Sequence, residues 1–278
     1  MRAAFFIQFL MVFCVAVTTA RAEIDLTARL QHPEFLICEP ALIFVTVRNQ
    51  GAQPIRFQGE QAAMLGFDIF RPDGTLLNPL PGAQILTPSV IPPGSTVTIT
   101  NDLQALFPIA RHDSLSVRAR LAVGKRSYVT DKMWLDVVPG IEILKMQARA
   151  PNGELRVYSL RTINRDKKDR LFLRADNESG TLCYGVADLG RFVRVGKPRM
   201  EVDRTGNIHV LHLTAPNQFA HTIISPDAVR MSRSVVEGDL NAVTLEPDGD
   251  GSYRVAGAGR VTRRPEIMVE PLPLRRGL

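Results

Sequence analysis

Apolar and polar residues alternate with period two through much of residues 23–139. Ile43, Val45 and Val47 alternate with Phe44, Thr46 and Arg48, and Val97 and Ile99 alternate with Thr96, Thr98 and Thr100. Leu115, Val117, Ala119 and Leu121 alternate with Ser116, Arg118, Arg120 and Ala122, and Met133, Leu135 and Val137 close the series. Successive side chains of a strand point to opposite faces, so each run predicts a half-buried antiparallel strand. Turn-forming clusters separate the runs: Asn49-Gln50-Gly51, Pro72-Asp73-Gly74, Pro92-Pro93-Gly94 and Gly124-Lys125-Arg126. One apolar face per strand must pack on another sheet, so the region predicts a β-sandwich. Val138-Pro139-Gly140 ends it, because proline and glycine terminate strands.

Residues 140–260 are patterned as hairpins. Apolar pairs of strands flank Pro151-Asn152-Gly153, Thr205-Gly206-Asn207 and Asp248-Gly249-Asp250-Gly251. The tips stand roughly 50 residues apart, near the period of a propeller blade. Three units are fewer than the roughly 4–8 blades that close a ring. The expectation is a second all-β domain of blade-like hairpins, built as a partial propeller or a sheet stack. Residues 261–278 place Arg263, Arg264, Arg275 and Arg276 among Pro265, Pro271 and Pro273, which predicts a basic, proline-containing extended tail.

Residues 1–22 change the picture. Arg2 precedes an apolar run from Phe5 to Val17, and Ala20-Arg21-Ala22 supplies small residues flanking a cleavage point. This is the build of a signal peptide, with Glu23 the expected new N-terminus. The run is shorter than the ~20 residues that span a bilayer, and no later stretch is apolar enough. The expected protein is exported, to the periplasm or beyond the cell, with no transmembrane segment in its mature part. The formal net charge of +6 falls by two when Arg2 and Arg21 leave with the leader. So weak a basic bias, with 6% aromatic residues, does not point to nucleic acid. Cys38 and Cys183 fall in different predicted domains, so the expectation is two thiols without a bridge.

Glu39-Pro40 ahead of strand residues 41–48, Asn49 and Gly51 after it, and Pro93-Gly94 ahead of residues 96–100 resemble the immunoglobulin-like sandwiches common in exported bacterial proteins. Relatives of proteinase-inhibitor and macroglobulin-type modules are among them. Cys38 stands where that pattern has glycine, no tyrosine corner is present, and Trp134 lies on the last strand. The phrase from Val202 to Val210 resembles the blade hairpins of sialidase-like propellers. The combined layout resembles uncharacterised exported bacterial proteins, and the resemblance implies a fold and no activity.

Candidate chemistry is sparse. A turn at Pro216-Asn217 would set His212 directly opposite His221, close enough to share a metal with a carboxylate such as Asp203. His209 would face away from His212, since residues three apart on a strand point to opposite sides. The histidines read more simply as hairpin-face residues, and no metal or cofactor is assigned. Glu246 to Ser252 resembles the start of a calcium loop, but position twelve would be Gly257, and Asp-Gly pairs are hairpin signals. The charge run Asn164 to Arg170 reads as a solvated hairpin tip. No nucleophile elbow and no His-Glu-x-x-His are present, so no catalytic residue is assigned. The expected function is non-catalytic binding or assembly in the cell envelope, with an envelope or secreted protein as partner. A proteinase-inhibitor-like module acting through the sandwich loops is one alternative, and a hydrolase with its site in the second domain is another.

Overall fold

The computed structural model describes residues 23–269 and 276–277; the leader expected at residues 1–22 lies outside them. The fold is all-β, with 57% strand against 2% helix. In chain order the first half holds β1 (Ile24–Leu30), β2 (Glu34–Leu36), β3 (Leu42–Asn49), β4 (Ile55–Arg56), β5 (Met64–Phe70), β6 (Val90–Ile91), β7 (Thr96–Asp102), the one-turn helix α1 (Leu103–Leu106), β8 (Asp113–Val123), β9 (Arg126–Val129) and β10 (Met133–Val138). One sheet has the order β1-β3-β7 and the other β2-β10-β8-β5, with β9 also paired to β8. Ile43, Val45 and Val47 from the first sheet and Leu115, Val117, Leu121 and Leu135 from the second meet in one core. This is the sandwich that the alternation predicts. Asn49 closes one turn: its side chain donates to the carbonyls of Gln53 and Ile91 and accepts from the Gly51 amide.

The second half holds β11 (Ile141–Arg149), β12 (Leu155–Arg165), β13 (Lys168–Asn177), β14 (Leu182–Arg191), β15 (Arg199–Val202), β16 (Ile208–Ala215), β17 (Gln218–Ile224), β18 (Arg230–Gly238), β19 (Thr244–Pro247), β20 (Tyr253–Ala256), β21 (Ala258–Val269) and β22 (Arg276–Gly277). The predicted hairpins are present, but they are not equivalent blades. The first lies in the sheet β11-β12-β13-β14-β22, the second in the sheet β15-β16-β17-β18-β21, and the third is the separate pair β19-β20. The two five-stranded sheets face one another across Leu160, Leu171, Leu173 and Leu189 on one side and Ile208, Val210, Ile224 and Met231 on the other. Of the two arrangements expected, a sheet stack is the one observed. The β19-β20 hairpin lies over the outer face of the second sheet, where Leu211, Leu213 and Phe219 pack on Val243 and Leu245.

The segment expected as a tail is different in its first part. Residues 261–269 belong to β21 and pair with β18. The ladder slips between Arg233 and Val235, so Arg264 and Pro265 together oppose Ser234. Proline has no N–H to donate, and a bulge on an edge strand is where it is tolerated. The arginines and the proline hide a strand whose place comes from its neighbour.

Between the sandwiches the chain has only Pro139 and Gly140 outside the strands. Gly140 has φ +67°, and a Cβ there would stand 2.6 Å from Leu36 Cδ2. Glycine therefore permits the close approach of the two halves. Leu36, Cys38 and Val138 of the first pack on Ile163, Phe172, Cys183 and Val186 of the second, forming an apolar junction.

Candidate functional site

Of the three candidate metal ligands, Asp203 and His221 come together, with His209 between them. The β16-β17 turn does fall at Pro216-Asn217, with Ala215 opposite Gln218. A bulge at Thr214 then shifts the register by one residue, so His212 lies opposite Ala220 and His221 opposite Leu211. A one-residue slip moves a side chain to the other face. His221 therefore joins His209 beneath the β19-β20 hairpin, and His212 points into the core between the sheets, near Phe192. The His212–His221 pairing is corrected to His209–His221.

Asp203 completes the group. His209 Nε2 stands 3.2 Å from Asp203 Oδ2, and His209 Nδ1 stands 3.2 Å from His221 Nε2. A carboxylate only accepts, so Nε2 of His209 carries the proton. In the tautomer protonated at Nε2 alone, Nδ1 accepts and His221 Nε2 donates to it. Tyr253 of the covering hairpin lies over His209, with ring centroids 5.6 Å apart. The hairpin tip is tied to the Asp203 turn, since the Arg204 amide donates to the Gly251 carbonyl. A Cβ on Gly251 would stand 2.3 Å from Arg204 Cδ, and its φ of +88° suits glycine.

These side chains have spent their capacity on one another. Asp203 Oδ1 accepts from the amides of Thr205 and Asn207 and from the Thr205 hydroxyl, and Oδ2 accepts from Asn207 Nδ2 and His209. Burial raises the Asp203 carboxyl, but these donors outweigh it and hold it below its ordinary range. Both ring nitrogens of His209 are engaged, and the residue is 2% exposed. Burial, helped by the neighbouring His209, lowers His221 to about 4, so it is neutral at pH 7. Among the described residues no three His, Cys, Asp or Glu side chains are arranged to hold a metal ion. The arrangement can pass a proton along Asp203, His209 and His221, and it locks the turn, the strands and the covering hairpin together.

A second polar group sits at the junction. Arg165 is 5% exposed and makes a two-pronged ion pair with Glu39, at 3.0 and 2.9 Å, with a further bond to the Glu34 carbonyl. Burial pushes the Glu39 carboxyl above its ordinary range, with Arg165 pulling the other way. Beside the pair is a cleft of about 230 Å³ lined by Gln31, His32, Pro40 and Asp188. Arg165 belongs to the charge run expected at a solvated tip. Asp166 and Lys167 do make that tip, with positive φ of 53° and 60°, but Arg165 turns inward. No signal along the chain distinguishes it from its neighbours, because Glu39 lies 126 residues away.

The remaining candidates are simple. The segment from Glu246 to Ser252 is the β19-β20 hairpin tip, with the Asp248 and Asp250 carboxylates accepting from the amides of Gly249 and Ser252. His112 is exposed. Compared with known proteins, the chain matches no family model, no curated protein and no solved structure.

The last feature is a face. Trp134, the chain's only tryptophan, is 62% exposed on the outer side of the β2-β10-β8-β5 sheet. It stands in register with Ser116 and, one strand further, half-buried Phe70. Lys132 Nζ lies 5.6 Å from its ring. Two rows away Val129, Arg120 and Gly66 are aligned, and Met64 pairs with Ala122 beyond them. Val129 and Met64 are exposed. Sequence patterning put Trp134 on the last strand; the cross-strand register supplies its neighbours.

Proposed function

We propose that this chain is an exported, non-catalytic binding or assembly protein of the cell envelope, engaging a protein partner through the Trp134 face. Trp134 is the observation that carries this reading. A large aromatic left mostly in water, with Lys132 beside it and half-buried Phe70 in the same cross-strand row, on a face that further along also exposes Val129 and Met64, has the composition of an interface anchor. No helix among the described residues is long and apolar enough to cross a membrane. Tagged protein and its Trp134→Ala variant should be used for pull-down from the host's envelope fraction. Capture that is lost in the variant, at an unchanged melting temperature, supports the reading. Equal capture of the same partners by both proteins sinks it.

One observation favours the proteinase-inhibitor alternative. Leu86 is 66% exposed on the loop before β6, and the Asn101 side chain both accepts from its amide and donates to its carbonyl. A rigidly held apolar side chain on a loop can enter a partner's pocket with little ordering cost. Inhibition of a secreted proteinase that Leu86→Ala abolishes and Trp134→Ala leaves intact would put this alternative first.

A further inference from the structure

We propose that Cys38 and Cys183 form a redox-closed pair, a disulfide that fastens the first sandwich to the second. The two residues are 145 positions apart in number (183 − 38), yet both lie in the junction, where Cys38 packs against the cluster containing Cys183, Leu36, Phe172 and Val186. Both are reduced in the structure. Their sulfurs are near enough for a thiol–thiol hydrogen bond.

The backbone at Cys38 supports a purpose for this sulfur. The Glu39 amide bonds to the Leu36 carbonyl, so Leu36 to Glu39 is a turn with Cys38 at its third position. Its φ is +73°, in the left-handed region where glycine is at ease and a side chain costs about 1–2 kcal/mol. The turn is fixed on both sides: the Leu36 amide donates to the Glu39 carboxylate, which holds Arg165 of the other sandwich. Cys183 is held from below, opposite Asp176 on β13, and Asp176 accepts from Arg174 at 2.9 Å. Cys38 first and burial second push the Cys183 thiol well above its ordinary range, and the nearby Arg174 guanidinium offsets only part of that push, so Cys38 is the sulfur that reacts first.

Closure balances by exchange with a low-molecular-weight disulfide such as oxidised glutathione. Cys38, the less buried thiol, attacks one sulfur of the oxidant, forms a mixed disulfide and releases one thiol. Cys183 then attacks the Cys38 sulfur and releases the second. Two cysteine thiols become one disulfide, two electrons pass to the oxidant, and both protons leave on the two released thiols.

The test uses the full chain carrying Cys14→Ser, so that only Cys38 and Cys183 remain of its three cysteines. After oxidised glutathione, thiols are counted by alkylation in denaturant without reductant, and a non-reducing peptide map is taken. The expected result is a fall from two thiols to none in monomeric protein, one peptide joining Cys38 to Cys183, and a higher urea midpoint that reductant reverses. Cys38→Gly is the control least able to disturb the turn; it should fold with the reduced protein's midpoint, keep the Cys183 thiol and show no rise on oxidation. Cys183→Ser should take up one glutathione at Cys38. Two thiols persisting after oxidation, or bridges only between chains, would overturn the proposal.

Discussion

The two sandwiches obey the same period-two rule and bury different things. In the first, the outer faces meet water. Leu115, Val117, Ala119 and Leu121 of β8 are buried while Arg120 is exposed and Arg118 partly so. In the second, β13 and β16 are buried on both faces through most of their length. Their outer faces are covered, one by the first sandwich and the other by the β19-β20 hairpin. Polar residues that alternation assigns to solvent are therefore enclosed: Arg165, Arg174, Asp176, His209 and His221. An enclosed polar group has to find partners, which is why Arg165 and Arg174 are in buried ion pairs and His209 and His221 are joined in a chain.

The largest expected effect is at the seam between the halves. Arg165→Ala leaves Glu39 buried without its cation, and should destabilise the protein by about 3–5 kcal/mol in urea unfolding. Glu39→Gln with Arg165→Met removes both charges and should recover most of that loss. A double variant no more stable than Arg165→Ala would mean the pair is worth more than its own desolvation. Next in size is the dry core of the first sandwich. Val117 is fully buried, and Val117→Ala should cost about 1–3 kcal/mol by the same measurement.

The same contrast explains what could be read from the chain. The β8 register was legible because one face is dry and the other wet, so residue type and burial coincide. The β16-β17 register was not, because Thr214 looks like any strand residue and its bulge reverses which histidines meet. Arg165 was illegible because its partner Glu39 is supplied by tertiary contact. The Pro139-Gly140 boundary is marked in the chain, but the close approach of Leu36 to Gly140 that its shortness brings is a tertiary contact.

A smaller effect should separate the two histidine environments. Among the described residues neither ring nitrogen of His212 makes a well-aligned hydrogen bond, although the backbone of Leu189 and Arg191 is close. Burial first, and the Arg233 charge second, lower it to about 3. An unpartnered buried ring is a liability, so His212→Leu should raise stability at pH 7 by about 1 kcal/mol. The pH dependence has a definite sign. With folded values of about 3 for His212 and about 4 for His221, against an ordinary 6.5, the unfolded chain takes up protons that the folded one refuses. The stability contributed by the neutral rings is present above about pH 6.5 and is lost as pH falls, down to about 4 for His221 and about 3 for His212. Urea midpoints at pH 7.5, 6 and 5 should decline in that order, and less steeply in His212→Leu; an equal slope would mean His212 is not the proton-refusing group.

The smallest expected effect belongs to the outer face around Trp134, which no described residue covers. Trp134 meets solvent on one side and Lys132, Ser116 and its own strand on the other, so most of its ring gains little from folding. Trp134→Ala should change stability by no more than about 0.5 kcal/mol, as for a surface substitution away from packed features. A cost nearer that of Val117→Ala would show that the indole is packed, and the two halves would then differ less in their outer faces than the exposures indicate. A near-zero cost would set this face apart from the covered ones. There a large side chain is retained because it holds sheets together, whereas Trp134 leaves its apolar surface exposed in the isolated chain. On the function proposed above, that surface is the one a partner covers.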